Sequence, residues 1–89
     1  MNKAAAEETV VTVFSAGKAC VQCNATTRWL DGHGIAYRVI EVAADDEDTR
    51  DQLRELGFMQ FPIVRSSVIA AFSGFRPDKL DELAEAVAR

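Results

Sequence analysis

Imidazole and thiol side chains are scarce in this chain, which holds one histidine, His33, and two cysteines, Cys20 and Cys23, among 89 residues. A closed tetrahedral zinc site needs four ligands. Beyond these three groups only carboxylates remain, so such a site would need a second chain, and no bound metal is expected. An excess of positive charge is also missing. The formal net charge is −4, and the acids gathered between Glu41 and Asp51, which read as a solvated helix start, would repel phosphate. Nucleic acid is therefore not an expected partner. Long apolar runs are absent too. None approaches the roughly 20 residues that cross a bilayer, and Met1 to Glu8 lacks the apolar stretch of a secretory signal and turns acidic. These absences lead to the expectation of a cytoplasmic protein without a membrane span, in a reducing compartment where two thiols can cycle. A hydrophobic content of 48% is enough for one small domain with a single core.

What the chain does have is a deliberate spacing of its two thiols. Cys20 and Cys23 stand two residues apart in Lys18-Ala19-Cys20-Val21-Gln22-Cys23. They follow the β-branched and aromatic run Val10 to Phe14 and the loop Ser15 to Ala19, and they open a helical stretch. A cysteine at a helix N-terminus faces unpaired backbone N–H groups and the positive end of the helix dipole, so the Cys20 thiol is expected to ionise below the ordinary cysteine range. Only the thiolate attacks disulfides, which makes Cys20 the candidate nucleophile. Cys23, about one turn later on the same side, is the candidate resolving thiol. Lys18 adds positive charge nearby, screened by water and salt. Two other readings of the pair stay open. One is a structural disulfide, which over so short a loop would constrain the unfolded chain by only about 2 kcal/mol. The other is a metal-binding module in which the two cysteines bridge two chains. His33, flanked by Gly32 and Gly34, reads as a solvated loop residue.

The remaining pattern alternates without repeats. The first helix, with Trp29 and Leu30, ends near Gly32, and Ile35 to Val42 reads as a second strand, so the strand-helix-strand order predicts a parallel pair. Asp45 or Asp46 can cap a second helix with Leu53 and Leu56 on its apolar stripe and Gly57 as its stop. Pro62 to Arg65 and Val68 to Phe72 read as a hairpin turning at Ser66-Ser67. Pro77 suits the first position of a last helix in which Leu80, Leu83, Ala84 and Val87 share one face. The order is β-α-β-α-β-β-α. By itself, Phe61-Pro62 reads as an ordinary trans bond, since only about 5–6% of such bonds are cis in folded proteins.

Two segments together carry a family resemblance. Ala19-Cys20-Val21-Gln22-Cys23 is similar to the active-site pentapeptide of the NrdH-redoxins, a glutaredoxin-sized branch of the thioredoxin superfamily, and Ser73-Gly74-Phe75-Arg76-Pro77-Asp78 resembles the segment that precedes their last helix. The resemblance covers residues 9–89 and leaves residues 1–8 as an N-terminal extension. It implies an α/β, thioredoxin-like fold with a four-stranded mixed sheet flanked by three helices, and a cis Phe61-Pro62 bond that positions substrate beside the cysteines. It also implies a monomeric dithiol electron carrier with no bound cofactor, reduced from NADPH through a flavoprotein thioredoxin reductase and oxidised by a class Ib ribonucleotide reductase or another disulfide-bearing protein. A glutaredoxin that uses glutathione or another small thiol is the alternative within the superfamily. Lys18, Val21, Gln22, Phe72, Ser73, Gly74, Phe75 and Arg76 are candidates for partner contact or for a loop network, although Gly74, Phe75 and Pro77 also read as a turn, a core aromatic and a helix start. The chain departs from the family at Ser15 to Lys18, which replaces a shorter Lys-Pro approach, and at Phe72, where tryptophan is usual and whose ring offers no N–H donor.

Overall fold

The computed structural model describes residues 11–88. The proposed extension at residues 1–8 lies outside them. Seven elements follow in order: β1 (Val11–Ser15), α1 (Val21–Gly32), β2 (Arg38–Glu41), α2 (Glu47–Glu55), β3 (Ile63–Ser66), β4 (Phe72–Ser73) and α3 (Pro77–Ala88). The sheet runs β2-β1-β3-β4. β1 pairs parallel with β2, Val13 opposite Val39, and antiparallel with β3, Val13 opposite Val64, while β4 adds antiparallel to β3. The four-stranded mixed sheet and the three helices match the expected thioredoxin-like architecture.

Alternation along the central strands sends side chains to opposite faces of the sheet. On one face Val11, Val13, Val64 and Phe72 pack with Leu30 of α1 and with Leu80 and Leu83 of α3. On the other, Ile63 packs with Val42 and with Leu53 of α2, joined by the half-buried rings of Phe14, Phe58 and Phe61. Leu80 and Leu83 are fully enclosed, each stabilising the fold by about 1.5–3 kcal/mol through burial.

Besides a one-residue shift of the third strand, which is Ile63–Ser66 and takes in Ser66 from the expected turn, the structure differs from the sequence reading in three places, each for a local reason. The second strand starts at Arg38 rather than Ile35, because Ile35 belongs to the exit of α1. Its N–H donates to the Leu30 carbonyl at 3.1 Å while the Gly34 N–H donates to that of Asp31 at 3.1 Å, a paired closure that ends a helix and reverses the chain. Leu56 is not on the α2 stripe but is 71% exposed. α2 closes in the same way, with the Phe58 N–H on the Leu53 carbonyl and the Gly57 N–H on that of Arg54, so that Phe58 fills the apolar face in place of Leu56. Of the two candidate caps, Asp46 is the one used, its Oδ1 accepting the Thr49 N–H at 3.2 Å. The last strand is Phe72–Ser73 rather than Val68 to Phe72. The Ser66 hydroxyl accepts the Ile69 N–H at 3.2 Å, occupying a donor that a longer hairpin ladder would have used.

Candidate redox site

β1 ends at Ser15, and the segment up to α1 is held by its own hydrogen bonds. The Gly17 N–H donates to Ser15 Oγ at 3.0 Å, and the Cys20 N–H donates to the Gly17 carbonyl at 3.1 Å. Gly17 takes φ +114°, a left-handed conformation open to glycine but costly for other residues. This turn is formed by Ser15 to Lys18, the segment in which the sequence departs from the Lys-Pro approach. Lys18 is exposed on it, and its carbonyl accepts Asn24 Nδ2 at 2.9 Å, tying the turn to the second turn of α1.

Cys20 is the N-cap of α1, with extended backbone, and its Sγ accepts the Cys23 N–H at 3.2 Å. A backbone donor aimed at sulfur at the positive end of a helix favours negative charge there. The Cα atoms of Cys20 and Cys23 are 5.2 Å apart, and the two sulfurs are joined as a disulfide. Their surroundings are unequal. Cys20 is partly open to solvent, whereas Cys23 is 1% exposed. Between them Val21 is 78% exposed, an apolar surface at the mouth of the site.

Gln22, also in the motif, reaches across the molecule. Its Oε1 accepts the Phe75 N–H at 3.0 Å. The neighbouring Gly74 N–H donates to the Pro62 carbonyl at 2.8 Å, and the Phe61-Pro62 bond is cis, the form that the resemblance implied against the general preference. One dipeptide, Gly74-Phe75, thus holds Pro62 on one side and the cysteine turn on the other. Gly74 has φ +83°, and a Cβ there would stand 2.7 Å from Gln60 Nε2 and 3.5 Å from Gln22 Oε1.

The other candidates separate by environment. Ser73 closes β4 beside Ile63, and the half-buried Phe75 packs against the main core. Phe72 is buried in that core and takes no part in the rim, a correction that follows from its inward place on β4. Arg76 is exposed and spent on a bidentate pair with Asp78, Nε to Oδ1 at 3.1 Å and Nη2 to Oδ2 at 2.9 Å. That hydrogen-bonded pairing holds the Asp78 carboxyl below the usual carboxylate range. His33 is exposed in the turn after α1, as the sequence reading expected, and it also has a structural part there. It is the C-cap of α1, with Nδ1 2.8 Å from the Trp29 carbonyl and its ring stacked on Trp29 at 3.6 Å between centroids.

Sequence reasoning passed over Gln60 and Arg50. Arg50 donates from Nε to the Ala43 carbonyl at 3.0 Å and from Nη2 to that of Val42 at 3.3 Å, with its guanidinium carbon 5.0 Å from the centre of the Phe61 ring. No periodic or spacing signal links Arg50 to Phe61 along the chain. The contact exists because α2 lies on the face of the sheet to which Phe61 points.

Comparison with known proteins places this geometry in a family. The glutaredoxin family model matches residues 11–66. Glutaredoxin-like protein NrdH of Salmonella typhimurium is 36% identical over 73 residues, covering 82% of this chain and 86% of the relative. The protein of the same description from Lactococcus lactis subsp. cremoris is 37% identical over 75 residues, 84% of this chain and 100% of the relative. Among solved structures, the glutaredoxin from Archaeoglobus fulgidus superposes with a TM-score of 0.67 at 20% identity, covering 82% of this chain and 83% of that one. A mutant of a thioredoxin-like protein gives 0.65 at 24% identity, covering 85% and 95%. At those identities the two structures speak for the fold alone. The family match, the relatives and the cysteine pair at the head of α1 together make the chain a thiol-disulfide oxidoreductase that belongs to the glutaredoxin family, among its NrdH-type glutaredoxin-like proteins.

Proposed function

We propose that the protein is a dithiol electron carrier in which Cys20 attacks and Cys23 resolves. The observation that supports this division is the inequality of the two sulfurs: Cys20 is partly open and receives a backbone N–H, whereas Cys23 is enclosed. The Cys20 thiolate displaces one sulfur of a partner's disulfide, leaving a mixed disulfide and a partner thiolate. Cys23 then forms the bond to Cys20 and releases the partner's second sulfur with its electron pair. Two electrons pass to the partner, and the Cys20–Cys23 disulfide is the product, to be reduced again.

On this reading the disulfide is reduced by a flavoprotein thioredoxin reductase with electrons from NADPH, and the acceptor is a class Ib ribonucleotide reductase or another protein carrying a reducible disulfide. The likeness to NrdH-type proteins supports it. The carrier itself binds no cofactor and works in the reducing cytoplasm. NADPH consumption with a disulfide acceptor, driven in parallel by thioredoxin reductase and by glutathione with glutathione reductase, tests the proposal. Turnover with the first system is expected, and turnover with glutathione alone would move the protein to glutathione-dependent chemistry. Cys20→Ser is expected to abolish attack, and Cys23→Ser to accumulate a mixed disulfide visible by mass. The reverse outcome would exchange the two roles. A stoichiometric metal in anaerobically purified protein, with no disulfide reduction, would favour the bridging metal module instead.

A further inference from the structure

Resolution requires Cys23 to shed a proton, yet Cys23 is 1% exposed. It borders a cavity. A space of about 200 Å³ lies between α1, the β1–α1 turn and β2, and Cys23 forms part of its wall with Ser15, Lys18, Thr27, Tyr37 and Glu41. That volume is many times what one water needs, and hydroxyl, ammonium and carboxylate groups line it, so it can hold a hydrogen-bonded file of water.

The charged and titratable side chains on this wall are Lys18, from the turn, and Tyr37 and Glu41, from the β2 side. Lys18 offers hydrogen-bond donors and no acceptor. Tyr37 donates its hydroxyl to Asp31 Oδ1 at 2.9 Å. Burial first, and then the Asp31 carboxylate, push its ionisation above the ordinary tyrosine value, so the phenol stays neutral. Glu41 is the one carboxylate among the described residues of the wall, and it has a made seat. A Cβ on Gly17 would stand 3.1 Å from Glu41 Oε2, so the bare Cα of that turn lets the carboxylate come close. The turn that departs from the family pattern and the acid at the end of β2 fit one another.

We propose that Glu41 is the proton acceptor for Cys23, reached through water in this cavity, a role that rests on the dithiol reading above. In resolution the Cys23 S–H proton passes through water to the Glu41 carboxylate, and the sulfur's electron pair forms the bond to Cys20. The bond between Cys20 and the partner breaks, and its electron pair leaves on the partner's sulfur. When the disulfide is reduced, an incoming thiolate attacks Cys20, Cys23 departs with the electron pair, and Glu41 returns the proton.

A chromogenic aromatic disulfide separates the two chemical steps in one stopped-flow trace, since the reduced protein releases one coloured thiolate when Cys20 attacks and a second when Cys23 resolves. Glu41→Gln is expected to leave the first release within about twofold and to slow the second by about tenfold or more at neutral pH, at or below the usual scale of general-base assistance. The gap should narrow above about pH 8.5, where a thiol ionises unaided. Glu41→Asp should recover part of the second phase. Equal slowing of both phases, or a second phase that matches wild type across the pH range, would overturn the assignment. Absence of both releases from the wild-type protein would instead overturn the dithiol reading on which it stands.

Discussion

Gln22 Oε1 and the Phe75 N–H, 53 residues apart in sequence, meet at 3.0 Å. The bond ties the first turn of the redox helix to the segment that carries the Pro62 contact. Gln22→Ala removes the side-chain acceptor of that amide. A loss of about 0.5–1.5 kcal/mol is expected, read as a shift in denaturant midpoint with unchanged slope. Hydrogen exchange should quicken at the Phe75 amide but not at Leu80, and Gln22→Glu, which keeps an acceptor, should protect it.

Gly74→Ala meets two penalties. The left-handed φ of +83° costs a side chain about 1–2 kcal/mol, and the new Cβ crowds Gln60 Nε2 at 2.7 Å. Because Nε2 is the end of a flexible chain, the crowding is relieved cheaply. Adding Gln60→Ala should therefore restore only a minor part of the lost stability in unfolding experiments, and full restoration would show that crowding, not the backbone, sets the cost.

Two leucines that look alike in sequence should behave differently. Leu80 is fully buried, whereas Leu56 is 71% exposed. Leu80→Ala is expected to cost about 2–5 kcal/mol, enough to consume much of a small domain's stability, while Leu56→Ala should fall within about 0.5 kcal/mol of wild type. Thermal unfolding of the two variants measures the contrast directly.

The Arg76–Asp78 pair gives acid stability a defined sign. Arg76 depresses the Asp78 carboxyl below its ordinary value, so the folded form binds that proton less readily than the unfolded chain. The stabilisation is present above the ordinary carboxylate range and disappears as pH falls through the depressed folded value. Asp78→Asn should flatten this part of the acid limb. Because both side chains are open to water, the difference should be small and fade in high salt, as denaturant midpoints across acid pH would show.

Periodic burial was the part of the fold most plainly written in the chain. Leu80, Leu83 and the alternating residues of β1 announce their faces by spacing, and the spacing of Cys20 and Cys23 announces a cap and the turn after it. Chain reversals were less plain. Ile35 and Leu56 are apolar residues next to strong periodic segments, and nothing in their identity says that paired carbonyl closures will take one out of a strand and leave the other in water. Contacts between distant loops were hidden for a different reason. Gln22, Gln60 and Gly74 converge only after the sheet order β2-β1-β3-β4 is set, and no pairwise spacing encodes that order. The Glu41 seat depends likewise on the path of the Ser15 to Lys18 turn, which no motif describes.

The stack of Trp29 on His33 closes α1 at the end away from the sulfurs. Nine helical steps separate Trp29 from Cys20, about 14 Å along the axis, and the chain has only this one tryptophan. Its emission is thus a gauge set into the far end of the redox helix, insulated from the electron transfer itself. Steady fluorescence through a reduction cycle would mean that α1 works as a fixed post, and a change would mean that the chemistry at its head is felt along its whole length.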